Sequence, residues 1–374
     1  MKKKMQNNYK IITVVGTRPQ LIKAACVSDE FKKHRKISEI ILHTGQHYSK
    51  SMSEFFFTNF KKNFKLINLH INNSNHSKAI AKMLSKLSDV FAKLKPNLIL
   101  LYGDTNSTLS GALAANRLKI PIAHIEGGLR NFDLSIAEDV NRIITDRISN
   151  LIFYSTKVAE RNLSLEGYKD FPCKLVKTDD LLSDSVIKNI KYARKESDIL
   201  DRININISKR KFVLLTIHRE KSLSYINLKN IFKAINKISL KRLIIFPIHP
   251  NTNKNLKKQN IKLSSNIFLI PPVNYFDMLK LLDTCEEVIT DSGGLQREAY
   301  ILKKRSLLIL GYTPWEELIT SKCAITSNFD TVDIVNKYNK LLLLKSNFSE
   351  KLYGSGKGSK KIVTEIIKFL KKND

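Results

Sequence analysis

Short β-like apolar runs alternate with helical patterns along almost the whole chain, and that alternation is the signature of a parallel α/β sheet. In the first half the expected strands are Ile11–Val15, Ile40–His43, Leu98–Tyr102, Ile122–Ile125 and Leu151–Tyr154. Helical stretches separate them near Leu21–Lys33, Ser77–Leu94, Ser107–Leu118 and Ala137–Ile148. The second half repeats the theme with Phe212–Thr216, Leu243–Pro247, Ile267–Ile270, Val288–Thr290 and Leu307–Leu310, and a basic helix is expected over Ser359–Lys372. Since 374 residues exceed one ordinary core, two domains are expected, over 1–180 and 181–354. Asp180–Asp201, an interrupted pattern followed by the charged Lys191–Asp198, is the expected transition.

Composition removes several classes. Hydrophobic residues make up 43%, normal for a globular protein, and no apolar stretch approaches a membrane span. The lysines of Met1–Lys10 precede an apolar run, but it stops at Gly16 and Arg18 follows, so export is not expected. Cys26, Cys173, Cys285 and Cys323 are scattered without a Cys-x-x-Cys pair, which fits buried thiols in a reducing cytoplasm and no metal site. The net charge of +30 is spread from Lys2 to Lys372 with no aromatic-interleaved stripe. It therefore describes a lysine-rich solvated surface rather than a nucleic-acid or membrane partner, although it would help draw in a doubly negative substrate.

Two segments carry the most chemistry. Val15-Gly16-Thr17-Arg18-Pro19-Gln20-Leu21-Ile22-Lys23 and Asp291-Ser292-Gly293-Gly294-Leu295-Gln296-Arg297-Glu298-Ala299 each follow a strand and open into a helix. That context aims backbone N–H groups at an anion, with Arg18 and Lys23 adding charge in the first case. The Gly293-Gly294 pair lets backbone come close to phosphate, and Glu298 can hold ribose hydroxyls. Tyr353-Gly354-Ser355-Gly356 is not a phosphate loop of the Walker type, because it lacks the Gly-Lys-Ser/Thr ending. Arg18, Asp104, Glu126, His218, His249 and Ser292 each closely follow a strand, where open parallel sheets collect ligands. Two α/β halves with such residues imply a cleft enzyme gripping a nucleotide diphosphate.

Further motifs occur in a recognisable order: Thr44-Gly45-Gln46-His47-Tyr48 with Met52, Phe55 and Phe56; Tyr102-Gly103-Asp104-Thr105-Asn106-Ser107-Thr108; and His124-Ile125-Glu126-Gly127-Gly128-Leu129-Arg130. Glu138-Asp139-Val140-Asn141-Arg142, Thr216-Ile217-His218-Arg219 and Phe246-Pro247-Ile248-His249-Pro250 follow. Together with the two anion-binding segments, they resemble the non-hydrolysing UDP-N-acetylglucosamine 2-epimerases over nearly the whole chain. The resemblance implies a GT-B-type fold: two Rossmann-like domains with a central cleft, and a C-terminal helix over 355–374 crossing back to the first domain. It also implies inversion at C2 of UDP-GlcNAc to UDP-ManNAc without NAD or another cofactor. UDP is eliminated across C1–C2 and returns after C2 is reprotonated on the other face.

That reaction places demands on the residues. No ketone acidifies the C2 proton, so departure of UDP must drive elimination, and fixed positive charge and N–H donors must stabilise the leaving diphosphate. Arg18, Lys23 and the backbone at Ser292, Gly293 and Gly294 are the candidates. Proton removal and return on opposite faces asks for two acid/base groups with raised pKa values, and Asp104, Glu126 and Glu138 are the candidates. Each has a plain structural alternative: a helix cap for Asp104, a strand-end carboxylate paired with Arg130 for Glu126, and helix-dipole compensation for Glu138. The resemblance further assigns His218 to the diphosphate or leaving oxygen, with Arg142 and His249 at the substrate. Glu298 is expected at the ribose, and Tyr275 and Met278 near the uracil.

Four segments depart from the family pattern. Lys221 replaces a glutamate in His218-Arg219-Glu220-Lys221-Ser222, and Gly127 stands where alanine is usual, adding backbone freedom beside Glu126. Leu310-Gly311-Tyr312-Thr313-Pro314-Trp315 lacks an arginine, and Lys177-Thr178-Asp179-Asp180 replaces a glycine-containing turn. Gln20, with Ala24-Ala25, leans toward relatives acting on UDP-2,3-diacetamido-2,3-dideoxy-glucuronate. A GT-B glycosyltransferase, a hydrolysing epimerase and a silent nucleotide-sugar binder are the rival readings. A homodimer is expected from the family's habit, and surface polysaccharide synthesis is the expected use of an N-acetylmannosamine supplier.

Overall fold

A run such as Leu98–Tyr102, apolar at every position, buries both faces of its strand, which requires a sheet covered by helices on each side. The computed structural model describes residues 8–45, 65–71, 75–203 and 211–373. They divide into two compact units, Met1–Ser185 with Tyr353–Asp374, and Val186–Leu352.

In unit 1 the order is β1 (Tyr9–Val15), α1 (Arg18–Phe31), β2 (Ile37–His43), β3 (Leu66–Asn68), α2 (His76–Leu94), β4 (Leu98–Tyr102), α3 (Asn106–Arg117), β5 (Ile122–Ile125), α4 (Ala137–Arg147), β6 (Leu151–Tyr154), α5 (Lys157–Leu165) and β7 (Lys174–Lys177). Next comes α6 (Leu181–Glu196), inside which the division between the units falls. Unit 2 holds α7 (Ile199–Arg202), β8 (Phe212–Thr216), α8 (Glu220–Leu223), α9 (Tyr225–Ser239), β9 (Leu243–Pro247), α10 (Pro250–Lys258), β10 (Ile267–Ile270), α11 (Tyr275–Thr284), β11 (Glu287–Thr290), α12 (Gly293–Ile301), β12 (Arg305–Ile309), α13 (Glu316–Thr320), β13 (Ala324–Ser327) and α14 (Thr331–Leu343). The final helix, α15 (Gly358–Lys372), belongs to unit 1 and packs on α1.

The first sheet has seven strands in the order β3-β2-β1-β4-β5-β6-β7, and the second six in the order β10-β9-β8-β11-β12-β13. All adjacent pairs are parallel, with Ile12 opposite Ile40 and Ile99, and Ile289 opposite Leu215 and Leu307. This is Rossmann-like topology in both units. Strand order reverses between β1 and β4 and again between β8 and β11, so the carboxyl ends of those pairs are where each unit can take a ligand.

Helix α2 shows how the pattern produces packing. Asn75 caps its start by accepting from the Lys78 N–H at 3.0 Å, and Lys95 ends it in a left-handed conformation, φ 46°. Ala79, Met83, Leu87 and Phe91 recur every fourth position, so they form one stripe against Ile12, Val14, Ile99 and Leu101. Burying each large side chain stabilises by about 1.5–3 kcal/mol, and Phe91→Ala would cost about 3–5 kcal/mol. In unit 2, Phe232 of α9 meets Phe246 of β9 with ring centroids 5.7 Å apart.

The expected transition at Asp180–Asp201 contains the division between the units, after Ser185. What reads in the sequence as an interrupted pattern is a sixteen-residue helix, α6, whose Leu182, Val186, Ile190 and Ala193 are buried while Lys188, Lys191, Arg194 and Lys195 are exposed. Strands β3, β7 and β13 escaped the pattern because they are three or four residues long and lie at or next to sheet edges. Only Val176 of β7 is buried.

Asp179, in the segment that departs from the family turn, holds the returning chain. It accepts from the N–H groups of Ser355 at 2.7 Å and Lys357 at 3.1 Å. Gly354, at φ 93°, leaves room for it, since a Cβ there would lie 2.1 Å from Asp179 Cγ. Asp184 takes the Gly358 and Ser359 N–H groups, and a Lys174–Glu365 ion pair at 2.6 Å fixes α15 beside β7.

Candidate active site

In unit 1 the Gly16–Lys23 segment turns between β1 and α1. Gln20 Oε1 accepts from the Gly16 N–H at 2.8 Å and the Thr17 N–H at 3.2 Å. Its Nε2 donates to Tyr102 O at 2.6 Å and to the hydroxyls of Thr105 and Thr108. The buried Gln20 amide thus locks the β1–α1 turn to the β4–α3 turn. Gly16 permits that closeness, because a Cβ on it would meet Ser107 Oγ at 2.0 Å. Arg18, half-buried, opens α1, and Lys23 is buried one turn further along.

The candidate acid/base residues follow β4 and β5. Asp104 lies after β4, and its carboxylate is ion-paired with Arg142 of α4. Asn141, beside Arg142, donates to Asp104 O at 2.9 Å and to Asn106 Oδ1 at 3.1 Å. The cap of α3 is Thr105, not Asp104. Glu138 is exposed in the first turn of α4, and the i, i+3, i+4 spacing puts it on the helix face that carries Asn141 and Arg142.

Glu126 follows β5 at φ 68°, an unusual conformation for a residue with a Cβ and one that collects at functional sites. Its Oε2 lies 2.6 Å from Lys23 Nζ, with the two side chains 11% and 7% exposed. The alternative pairing with Arg130 is not the one formed. Arg130 is buried against Asp146 at 2.8 Å and Glu166 at 2.7 Å. Asp104 and Glu126 therefore each face a cation rather than an apolar wall.

Gly127 does not act as a point of freedom. A Cβ there would lie 2.4 Å from Ile152 and 2.5 Å from Asp146, so close packing requires glycine. The conformational need is at Gly128, whose φ is 79°.

In unit 2, His218 follows β8 and is exposed, with Nδ1 3.2 Å from Asp291 Oδ1. The fully buried Asp291 also accepts from the His218 N–H at 2.9 Å and the Arg219 N–H at 2.8 Å. It is the residue that fixes this loop, and its place at the head of Asp-Ser-Gly-Gly was the available signal. Ser292 caps α12 by accepting from Leu295 N–H at 3.3 Å, while its own N–H donates to Thr290 Oγ1 at 2.9 Å. That leaves the first-turn N–H groups of Gly293 and Gly294 as the helix-terminal donors for an anion. A Cβ on Gly293 would lie 3.1 Å from Trp315 and 3.3 Å from Arg219 Nη2, so an indole and a guanidinium border this helix end. Arg297 stacks on Trp315 at 4.5 Å.

Glu298 is buried on α12. Tyr275 is buried, and Met278 packs against the apolar cluster of Leu281, Leu282 and Val288. His249 caps α10 through Nδ1, which accepts from Asn251 N–H at 3.3 Å. Burial, with His218 next in effect, holds its imidazole below the ordinary value, and the two rings are 6.5 Å apart. Lys221, the departure after His218-Arg219, lies over the Phe329 ring at 5.8 Å. Gln46–Tyr48, Met52, Phe55 and Phe56 lie outside the described residues.

Against this geometry, the family described as UDP-N-acetylglucosamine 2-epimerase matches residues 29–367. The chain belongs to that family. It is an epimerase, and its fold is GT-B-like with two parallel-sheet α/β domains. A UDP-N-acetylglucosamine 2-epimerase homolog of Methanococcus maripaludis is 39% identical over 96% of this chain and 100% of its own length. The UDP-2,3-diacetamido-2,3-dideoxy-D-glucuronate 2-epimerase of Pseudomonas aeruginosa is 37% identical over 96% of this chain and 100% of its own. The solved structure of Methanocaldococcus jannaschii UDP-GlcNAc 2-epimerase in complex with UDP-GlcNAc and UDP matches at 34% identity with a TM-score of 0.88. That match covers 96% of this chain and 99% of the other. Among the described residues, no helix is long and apolar enough to cross a membrane.

Proposed function

We propose that this chain inverts C2 of UDP-N-acetylglucosamine to give UDP-N-acetylmannosamine, by elimination and re-addition of UDP. The observation that carries this reading is the pair of ion-paired carboxylates, Asp104–Arg142 and Glu126–Lys23, after neighbouring strands of one sheet in a chain of this family. In this reading Asp104 and Glu126 remove and return the C2 proton, with Glu138 on the adjoining helix as the third acid/base group. Unit 2 contributes His218, Arg219 and the Gly293 and Gly294 N–H groups to the diphosphate, where charge develops as C1–O breaks. Arg18, Lys23, Arg142 and His249 are further substrate contacts in this reading. Glu298 takes the ribose and Tyr275 and Met278 the base.

The enzyme acts as a cytoplasmic homodimer and supplies an N-acetylmannosamine unit for surface polysaccharide. The family habit supports the dimer, and light scattering tests it. A second substrate, UDP-2,3-diacetamido-2,3-dideoxy-glucuronate, is favoured by the 37% identity to the Pseudomonas relative and by the net charge of +30.

The test is proton NMR of the protein with UDP-GlcNAc in D₂O, without NAD or acceptor. Deuterium entering C2 beside a UDP-ManNAc signal is expected. No exchange with UDP-GlcNAc, but exchange with the diacetamido-uronate, would replace the first substrate with the second. Exchange with neither would overturn the reading.

A further inference from the structure

The functional reading does not use the most buried charged cluster in unit 1. His124 lies within β5, and neither its side chain nor that of Asp146 has any exposure. His124 Nδ1 is 2.7 Å from Asp146 Oδ1, and Nε2 is 2.7 Å from Gly103 O. A peptide carbonyl can only accept, so Nε2 donates. Asp146 Oδ2 receives the Gly128 N–H at 3.0 Å and the Arg130 guanidinium at 2.8 Å. Burial raises the Asp146 pKa, but the His124 bond and the charges of His124 and Arg130 outweigh it, and the carboxyl stays below its ordinary range. An ionised carboxylate only accepts, so Nδ1 donates as well. Arg130 also forks onto Glu166 at 2.7 and 2.9 Å.

The two ends of this ring reach the two turns that matter. Gly103, at φ 62°, is the residue before Asp104, and its carbonyl takes Nε2–H. Gly128, at φ 79°, is two residues after Glu126, and its N–H is held by the same Asp146 that accepts Nδ1–H. Glu126 sits between them at φ 68°, a conformation that lasts only where surrounding bonds over-determine it.

We propose that His124 is a positioning residue, a buried two-ended donor that bridges Gly103 O to Asp146 and so fixes the Asp104 and Glu126 turns to each other as one unit. Its link to catalysis rests on the assignment of Asp104 and Glu126 as acid/base groups. The bridge predicts coupled placement: loss of either end shifts both carboxylates, and a misplacement of about 1 Å lowers turnover by about a hundredfold without a new clash at the substrate.

The test has two arms. In wild-type protein at pH 7.5, long-range ¹⁵N–¹H NMR of the His124 ring should show a proton on both nitrogens in slow exchange. A ring with one protonated nitrogen overturns the bridge, whether or not the protein turns over. In the second arm, His124→Gln keeps one donor and loses the other. With the UDP-sugar that wild type epimerises, kcat should fall at least about tenfold, while KM and the Kd for UDP stay within about twofold. Unchanged kcat, or a loss confined to KM, overturns the proposal. If His124→Gln does not fold, His124→Asn takes its place under the same criteria, and if neither folds the ring protons alone decide. Absence of any turnover in wild type would overturn the acid/base assignment instead, and the bridge would then stand or fall on the ring protons.

Discussion

Replacing Lys23 with methionine isolates the charge that balances Glu126. The two groups are 2.6 Å apart and their side chains are 7% and 11% exposed, so water screens them little. Methionine keeps the aliphatic bulk in the apolar surroundings of α1 and removes only the ammonium. The variant therefore leaves a nearly buried carboxylate without that partner, a change that costs about 3–5 kcal/mol in comparable sites.

Urea unfolding followed by circular dichroism at pH 7.5 should show that loss for Lys23→Met against wild type. Lys23→Met combined with Glu126→Gln should recover at least about 2 kcal/mol relative to additivity. A loss below about 0.5 kcal/mol or an additive double variant would refute the reasoning.

Asp104→Asn should lower kcat at least about a hundredfold, the scale of acid/base catalysis, with UDP affinity retained in titration calorimetry. Gly127→Ala, which restores the residue usual in the family, should destabilise by about 1–3 kcal/mol in urea unfolding, because its Cβ would overlap Ile152 and Asp146. His43 provides a pH test: burial, with His70 second, lowers its imidazole to about 4 from 6.5. The folded state excludes a proton that the unfolded chain takes up. The contribution is complete above pH 6.5 and about 3 kcal/mol is lost as pH falls through 4. His43→Asn can still accept the Gly45 N–H bond and should flatten the wild-type stability profile between pH 6.5 and 4.

The alternation of apolar runs and helical stretches was enough to determine two parallel sheets, because strands buried on both faces and helices buried on one write different periods into the chain. It also located the two glycine-bearing turns that open α1 and α12, since a strand followed by glycine and a helix start is a local pattern. Even the return of the last helix was legible, through resemblance. What stayed hidden was set by neighbours distant in sequence. The division between the units does fall within 180–201, but the continuity of α6 across it was hidden, because the helix mixes buried Leu182, Val186 and Ile190 with exposed Lys188, Lys191 and Arg194. That the Gln20 amide joins two turns 82 residues apart was not visible in the sequence. The partners of the candidate carboxylates, Arg142 for Asp104 and Lys23 rather than Arg130 for Glu126, depend on which helix faces which strand end. No spacing in the sequence encodes that choice, because charge pairing across a sheet is fixed only when the tertiary fold has brought the groups within reach.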